Sequence, residues 1–103
     1  MPRLLSTEEI NKRLQKLSGW QYKDCFLVKE ITFKTFLRGI SFVNKLSKIA
    51  EKLEHHPDIY IRYNSVKLML QTHSENGVTV WDFQLAKEID KLLSEMSKTK
   101  QKK

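Results

Sequence analysis

The sequence predicts an α+β fold, a four-stranded antiparallel sheet with three helices on one face in the order α-β-β-α-β-β-α. Three observations predict it. Apolar residues recur at helical spacing in three separated stretches: near the N-terminus, from about Phe33 to Glu54, and from Thr79 onward. Between them lie two pairs of short strand-like runs, each pair joined by a polar turn. Sequential antiparallel hairpins leave a sheet face that the helices must cover, which is the logic of a two-layer sandwich.

Ser6-Thr7-Glu8-Glu9 has the form of a capping box, with Leu5 and Ile10 placed as its hydrophobic staple. Ile10, Leu14 and Leu17 form one stripe, and Ser18-Gly19 ends the helix. Trp20 to Tyr22 is expected as a short strand, Lys23-Asp24 as a turn, and Cys25 to Thr32 as a second strand rich in Phe, Val and Ile. From Phe33 to Glu54 the period is helical. Phe36, Ile40, Val43, Ser47, Ala50 and Glu54 share one side, while Leu37, Phe42, Leu46, Ile49 and Leu53 widen the apolar surface. A helix so broadly apolar buries two faces, one on the sheet and one at a subunit interface. Gly39 inside it costs about 1 kcal/mol relative to alanine, which close approach of another backbone would explain.

Pro57 is expected to stop this helix. Asp58 to Tyr63 and Val66 to His73 then alternate cleanly. A turn at Asn64-Ser65 pairs Tyr63 with Val66, Ile61 with Leu68 and Ile59 with Leu70, all apolar and on one face. Carried outward, that register sets His73 opposite His56, on the face away from the core. Ser74 to Gly77 is a loop. Thr79 caps the last helix with Asp82 three residues on, and Trp81, Leu85, Ile89, Leu92 and Met96 give its buried stripe.

Composition narrows the function classes. The chain has 103 residues, 40% of them hydrophobic, so one domain with a real core is expected rather than disorder. No apolar run approaches a membrane span, and the N-terminus lacks a secretory pattern. The single cysteine, Cys25, fits a reducing, intracellular setting. The net charge is +7, but Lys98, Lys100, Lys102 and Lys103 supply four of it, leaving +3 for the body. The expected organisation is therefore one domain over 1–97 and a Lys-rich tail over 98–103. No nucleic-acid-binding signature accompanies the charge.

The chemistry concentrates in the only three histidines, His55, His56 and His73. Glu51 lies four residues before His55, one turn away on the same helix face, where it can orient the imidazole. Read blandly, this is a surface ion pair at a helix end, and His55-His56 are polar residues at a corner. The three histidines could also be counted as zinc ligands, but adjacent histidines diverge and no Cys or carboxylate spacing adds to them, so no metal is expected. Imidazoles converging on one pocket suit proton transfer near neutral pH without metal or nucleotide, and phosphate loops and nucleophile elbows are absent. Asp82 is most simply a capping acid and Trp20 most simply core, although both could face the pocket.

The residues Glu51, His55-His56-Pro57, Tyr63, His73 and Asp82 together resemble the pattern of the pterin-4a-carbinolamine dehydratases. That pattern is a charged residue, three residues, His-His-Pro, an aromatic six positions after the proline, then His and later Asp. Leu5 to Glu9, Gly19-Trp20, Tyr63-Asn64 and Thr72-His73 extend the resemblance over nearly the whole chain. The resemblance implies the α-β-β-α-β-β-α fold and the dehydration of 4a-hydroxytetrahydropterin to quinonoid dihydropterin, which recycles the pterin after an aromatic amino acid hydroxylase turns over. It implies His55 and His73 as the acid and base, His56 as a binding and orienting residue, and Glu51 as the support of His55. Pro57, Thr72, His73, Ser74 and Glu75 would line the pterin, with Asp82 and Trp20 near it. No cofactor is implied. Relatives of this kind form homodimers and homotetramers through sheet edges and the long helix. Some act as dimerisation cofactors of a homeodomain transcription factor, and others look like assembly factors for a carbon-fixing enzyme. A cytoplasmic location is expected, with a nuclear one left open by the basic tail.

Overall fold

The computed structural model describes residues 2–101, with side chains to Ser97. Its elements are helix α1 (Thr7–Leu14), strands β1 (Gln21–Lys23) and β2 (Phe26–Thr32), helix α2 (Phe36–Leu53), strands β3 (Asp58–Arg62) and β4 (Ser65–Leu70), a 3₁₀ turn (His73–Glu75) and helix α3 (Val80–Gln101). The four strands form one antiparallel sheet in the order β1-β2-β4-β3. This is the predicted element order. Lys102 and Lys103, half of the lysines in the predicted tail, lie outside the described residues.

Alternation along the two central strands decides which face the helices cover. Leu27, Val66, Leu68 and Leu70 are fully buried, while Glu30 and Lys67 stand opposite each other on the open face. Phe42 and Leu46 of α2 and Leu85, Ala86 and Ile89 of α3 complete the core. Lys29 points its chain inward only because its ammonium is met by Asp90 at 2.9 Å and by the Ser18 carbonyl at 3.0 Å.

The capping box of α1 is formed in both directions, Glu9 N–H to Ser6 Oγ (3.1 Å) and Ser6 N–H to Glu9 Oε1 (2.8 Å). Arg3 grips Glu9 from outside, and that bond, with the Ser6 N–H, pulls the Glu9 carboxyl down to about 2. Leu5 and Ile10 are buried as the expected staple. The helix itself stops at Leu14 rather than near Leu17, and tighter turns carry the chain on through Lys16 and Leu17.

Both hairpins turn one residue away from the predicted place. Asp24 and Cys25, not Lys23-Asp24, make the first turn, both with positive φ (51° and 69°), as a type I′ two-residue turn requires. The second turn is at Tyr63-Asn64, so Ile61 pairs with Val66 and Ile59 with Leu68. The expected partners were each two residues further along β4. A shift of two keeps every side chain on its face, so apolar alternation could not separate the two registers. A tertiary clasp separates them: Asn64 Nδ2 donates to the Phe33 carbonyl and Phe33 N–H donates to the Asn64 carbonyl, both at 2.8 Å. With this register, and with β4 ending at Leu70, pairing no longer sets His73 opposite His56.

Helix α2 begins at Phe36, three residues later than expected, because the Thr35 side chain caps it by accepting the Arg38 N–H. Gly39 is buried not against a backbone but against side chains: a Cβ there would lie 3.4 Å from Phe33 Cδ2 and 3.5 Å from Val66 Cγ2. Those are ordinary contact distances. Gly39→Ala is therefore expected to stabilise the chain by up to about 1 kcal/mol through helix propensity. Thermal unfolding followed by circular dichroism should show Tm rising by several degrees; a fall would mean the site has no room.

Candidate active site

The site begins where α2 ends. The helix stops at Leu53, well before Pro57, because Glu54 takes the left-handed conformation (φ 53°, ψ 40°). His55 N–H then closes on the Ala50 carbonyl at 3.1 Å, the six-to-one bond of a Schellman end. This reversal removes His55 from the helical ladder. The expected pairing of Glu51 with His55, which presumed four continuous helical residues, does not form. Instead His56 Nε2 is bonded to Glu51 Oε2 (2.6 Å), on the surface, and His55 Nε2 is bonded to Asp82 Oδ1 (2.6 Å).

Asp82 is fully buried and is the centre of the arrangement. A carboxylate only accepts, so His55 must present Nε2–H to it, which leaves Nδ1 as the unprotonated nitrogen of the neutral ring. Asp82 Oδ2 accepts from the Thr79 N–H and from the Thr72 hydroxyl, each at 2.9 Å. Thr72 Oγ1 also lies 2.7 Å from Thr79 Oγ1, which in turn accepts the Trp81 N–H at 3.2 Å. Each hydroxyl has one proton, so the direction is fixed. Trp81 N–H donates to Thr79, Thr79 O–H to Thr72, and Thr72 O–H to Asp82. No buried side-chain polar atom among the described residues lacks a partner, and such a satisfied network holds its members rigidly.

His73 follows Thr72 directly and opens the 3₁₀ turn, exposed, as is Ser74; Glu75 is half-buried. The loop is tied at its neck by Thr72 N–H to the Gly77 carbonyl (2.9 Å) and internally by Glu75 N–H to the Thr72 carbonyl (2.9 Å). Asp82 thus fixes two pieces at once, the imidazole at the end of α2 and the root of the loop that carries His73. Pro57, half-buried, passes the chain from His56 into β3.

Trp20 is not brought to this group. It is buried in the core with its indole N–H donated to Asp90 (3.0 Å to Oδ1), under the Lys29 ammonium. Asp90 lies eight residues beyond Asp82 on α3, roughly 12 Å along the axis. Trp81, expected in the core stripe, is instead 43% exposed. The stripe runs through Phe83, Leu85, Ala86, Ile89 and Leu92, with Asp82 as its one polar member. The signal available for this was the capping pattern itself: an acid at the third helical position that turns inward carries its neighbour Trp81 outward. The Trp81 ring meets the His55 ring edge-to-face at 6.3 Å, and together with Leu53, Glu54 and Gln84 they line a concavity of about 300 Å³. Thr79, Trp81, Glu54 and Gln84 were not among the predicted site residues. Among the described residues, no three His, Cys, Asp or Glu side chains group as metal ligands would.

Comparison with known proteins bears on the family and the fold. The model of the family described as pterin 4 alpha carbinolamine dehydratase matches residues 3–92. A candidate pterin-4-alpha-carbinolamine dehydratase of Sulfolobus acidocaldarius is 47% identical over 88 residues, 85% of this chain and 97% of its own. One from Trichodesmium erythraeum is 44% identical over 92 residues, 89% of this chain and 99% of its own. The crystal structure of a transcriptional coactivator/pterin dehydratase from Brucella melitensis superposes with a TM-score of 0.84 at 37% identity, covering 87% of this chain and 98% of that one. A pterin dehydratase-like protein identified as a RuBisCO assembly factor in the alpha-carboxysome shares the fold, with a TM-score of 0.60 at 22% identity over 71% of this chain and 84% of that one. Matched by the family model over residues 3–92 and by relatives 44–47% identical over most of its length, the chain belongs to the pterin 4 alpha carbinolamine dehydratase family.

Proposed function

We propose that the chain is a dehydratase of 4a-hydroxytetrahydropterin, acting by histidine acid–base catalysis without a cofactor. The observation that carries this reading is the Asp82–His55 bond at 2.6 Å, a buried carboxylate that sets one imidazole's tautomer while also holding, through Thr72, the loop of His73. In the reaction the C4a–O bond breaks and the hydroxyl leaves as water after receiving a proton. A proton departs from N5, and the C4a=N5 double bond of the quinonoid dihydropterin forms. His55 and His73 share the two proton transfers. Neutral His55, with Nε2–H committed to Asp82, accepts at Nδ1; in its protonated form the same nitrogen donates. His56, steadied by Glu51, binds and orients the ring, with Pro57, Thr72, Ser74 and Glu75 around it. Both partners of the His56–Glu51 pair are largely exposed, so this pair contributes orientation rather than stability.

The substrate would come from an aromatic amino acid hydroxylase, and the enzyme would work as a homodimer or homotetramer in the cytoplasm. The oligomer reading is supported by the edge strand β3, whose Tyr60 and Ile61 are exposed beside Tyr63 at its turn, and by Phe36 and Leu37 exposed at the start of α2. The same surfaces favour a second reading, a coactivator-type binding protein. It would be supported by a stoichiometric protein partner in a pull-down that survives substitution of the histidines.

The function is tested by stopped-flow absorbance of 4a-hydroxytetrahydropterin generated by a hydroxylase, with and without the protein. Faster decay to the quinonoid form is expected. Decay at the uncatalysed rate with folded protein would overturn the proposal.

A further inference from the structure

We infer that the segment before α1, Arg3 to Leu5, is a strap that keeps the loop carrying His73 in its working position, with Leu4 as the positioning residue and Gly77 as its seat. The inference rests on the dehydratase reading above and deepens it.

The loop has two roots, and each is held. The His73 ring forms no hydrogen bond or ion pair among the described residues, so the loop backbone decides where it stands. The roots, Thr72 and Gly77, are bridged by the Thr72 N–H to Gly77 carbonyl bond. The first root is tied to Asp82 through the Thr72 hydroxyl. The second is met by the strap: Leu5 N–H donates to the Val78 carbonyl at 3.0 Å, and the Leu4 side chain lies over Gly77.

The identity of residue 77 follows from that contact. Its backbone does not call for glycine, because the left-handed position that ends the 3₁₀ turn is taken by Asn76 (φ 55°) and Gly77 has no positive φ. Leu4 calls for it instead. A Cβ at 77 would stand 2.7 Å from Leu4 Cδ2, closer than real Cβ contacts come. Gly77 is buried while Leu4 stays 48% exposed, as a side chain laid across the surface over a seat would be.

The strap is itself fixed on both sides of Leu4. Leu5 is buried in the core. Arg3 is held by Glu9 through two bonds, 2.9 and 2.8 Å, and Glu9 is locked to Ser6 by the capping box. Leu4 therefore meets Gly77 with little ordering cost. Proton transfer needs an imidazole within hydrogen-bond reach of the atom it serves, and a misplacement of about 1 Å can cost about 10²-fold in rate. A strap on the second root thus acts on the rate through His73, without touching the pterin.

The test is stopped-flow turnover of hydroxylase-generated 4a-hydroxytetrahydropterin, with the three imidazoles followed in parallel by nitrogen–proton NMR. Leu4→Ala should lower kcat by about tenfold and shift or broaden the His73 resonances while those of His56 stay in place. Leu4→Met, of similar volume, should keep most of the rate. Gly77→Ala should give a loss of the same order, because its Cβ displaces the Leu4 methyl. In the Leu4→Ala background it should add little, since the clashing atom is already gone. In the His73→Ala background Leu4→Ala should cost nothing further, whereas a merely structural role would cost as much as before. An unchanged rate in Leu4→Ala, or a loss that persists undiminished without His73, overturns the strap. If the wild type itself leaves the decay at the uncatalysed rate, the dehydratase reading falls. The His73 resonances then decide alone: moved by Leu4→Ala they support the strap, and unmoved they overturn it too.

Discussion

His55→Ala should lower the rate of 4a-hydroxytetrahydropterin dehydration by about 10²–10⁴-fold, the range typical of losing one general acid or base. The loss should fall on kcat more than on KM, because the proposed mechanism sets the imidazole on the departing hydroxyl or on N5 rather than on the body of the pterin. His73→Ala should show a loss of the same order, and the double variant should approach the uncatalysed decay. Glu51→Gln is the internal contrast. Its carboxylate is 78% exposed and its partner His56 61%, so the variant should retain most of the rate. Single-turnover stopped-flow on the four proteins decides the matter. Near-wild-type turnover in both His55→Ala and His73→Ala would remove these residues from the chemistry.

Asp82→Ala is expected to be the most destabilising single change in the site. It deletes the shared acceptor of three donors, the His55 ring, the Thr72 hydroxyl and the Thr79 N–H. Breaking such a buried group costs about 3–5 kcal/mol. At about 4–8 °C per kcal/mol for a domain near this size, Tm should fall by more than about 10 °C. Asp82→Asn separates stability from chemistry. The amide keeps the volume but brings an N–H, which must confront one of those donors or force His55 to the other tautomer. A modest loss in Tm together with a large loss in kcat is the expected signature. A full wild-type rate in Asp82→Asn would show that tautomer control is not part of the mechanism. Circular dichroism melts and kcat measured on the same preparations supply both readings.

Much of this arrangement is written locally. Ser6 and Glu9 announce their helix because a capping box is satisfied by residues three apart, and the alternation from Asp58 onward announces a hairpin because burial has period two. What could not be read locally was set by contacts across the chain. Asn64 chooses the turn by bonding to Phe33, 31 residues away. His55 passes from Glu51 to Asp82 because Glu54 leaves the right-handed region, a backbone choice that propensity would assign to glycine. Asp82 was legible as a cap, and it is one, since its Oδ2 accepts the Thr79 N–H. Its other oxygen holds His55. A residue that answers a local rule can hide a distant role, and Trp81, turned out by that same inward Asp82, was hidden with it.

The sheet order has a consequence for how the chain is made. The two innermost strands, β2 and β4, pair Leu27 with Leu70 and Ile31 with Val66, across the whole of α2 and β3. Emerging from the ribosome, β2 can be joined only by the three-residue β1 on one side, and its other edge stays open until β4 is translated. The nascent N-terminal half is thus a helix–hairpin–helix fragment with an unsealed strand, and the loop-closure entropy of the central pairing must be met before the β4 share of the core is gained. Synthesis must pass residue 70 before the sheet can close, and the third segment of the site, Asp82, arrives only after that closure. The candidate site is therefore assembled only after the sheet has closed.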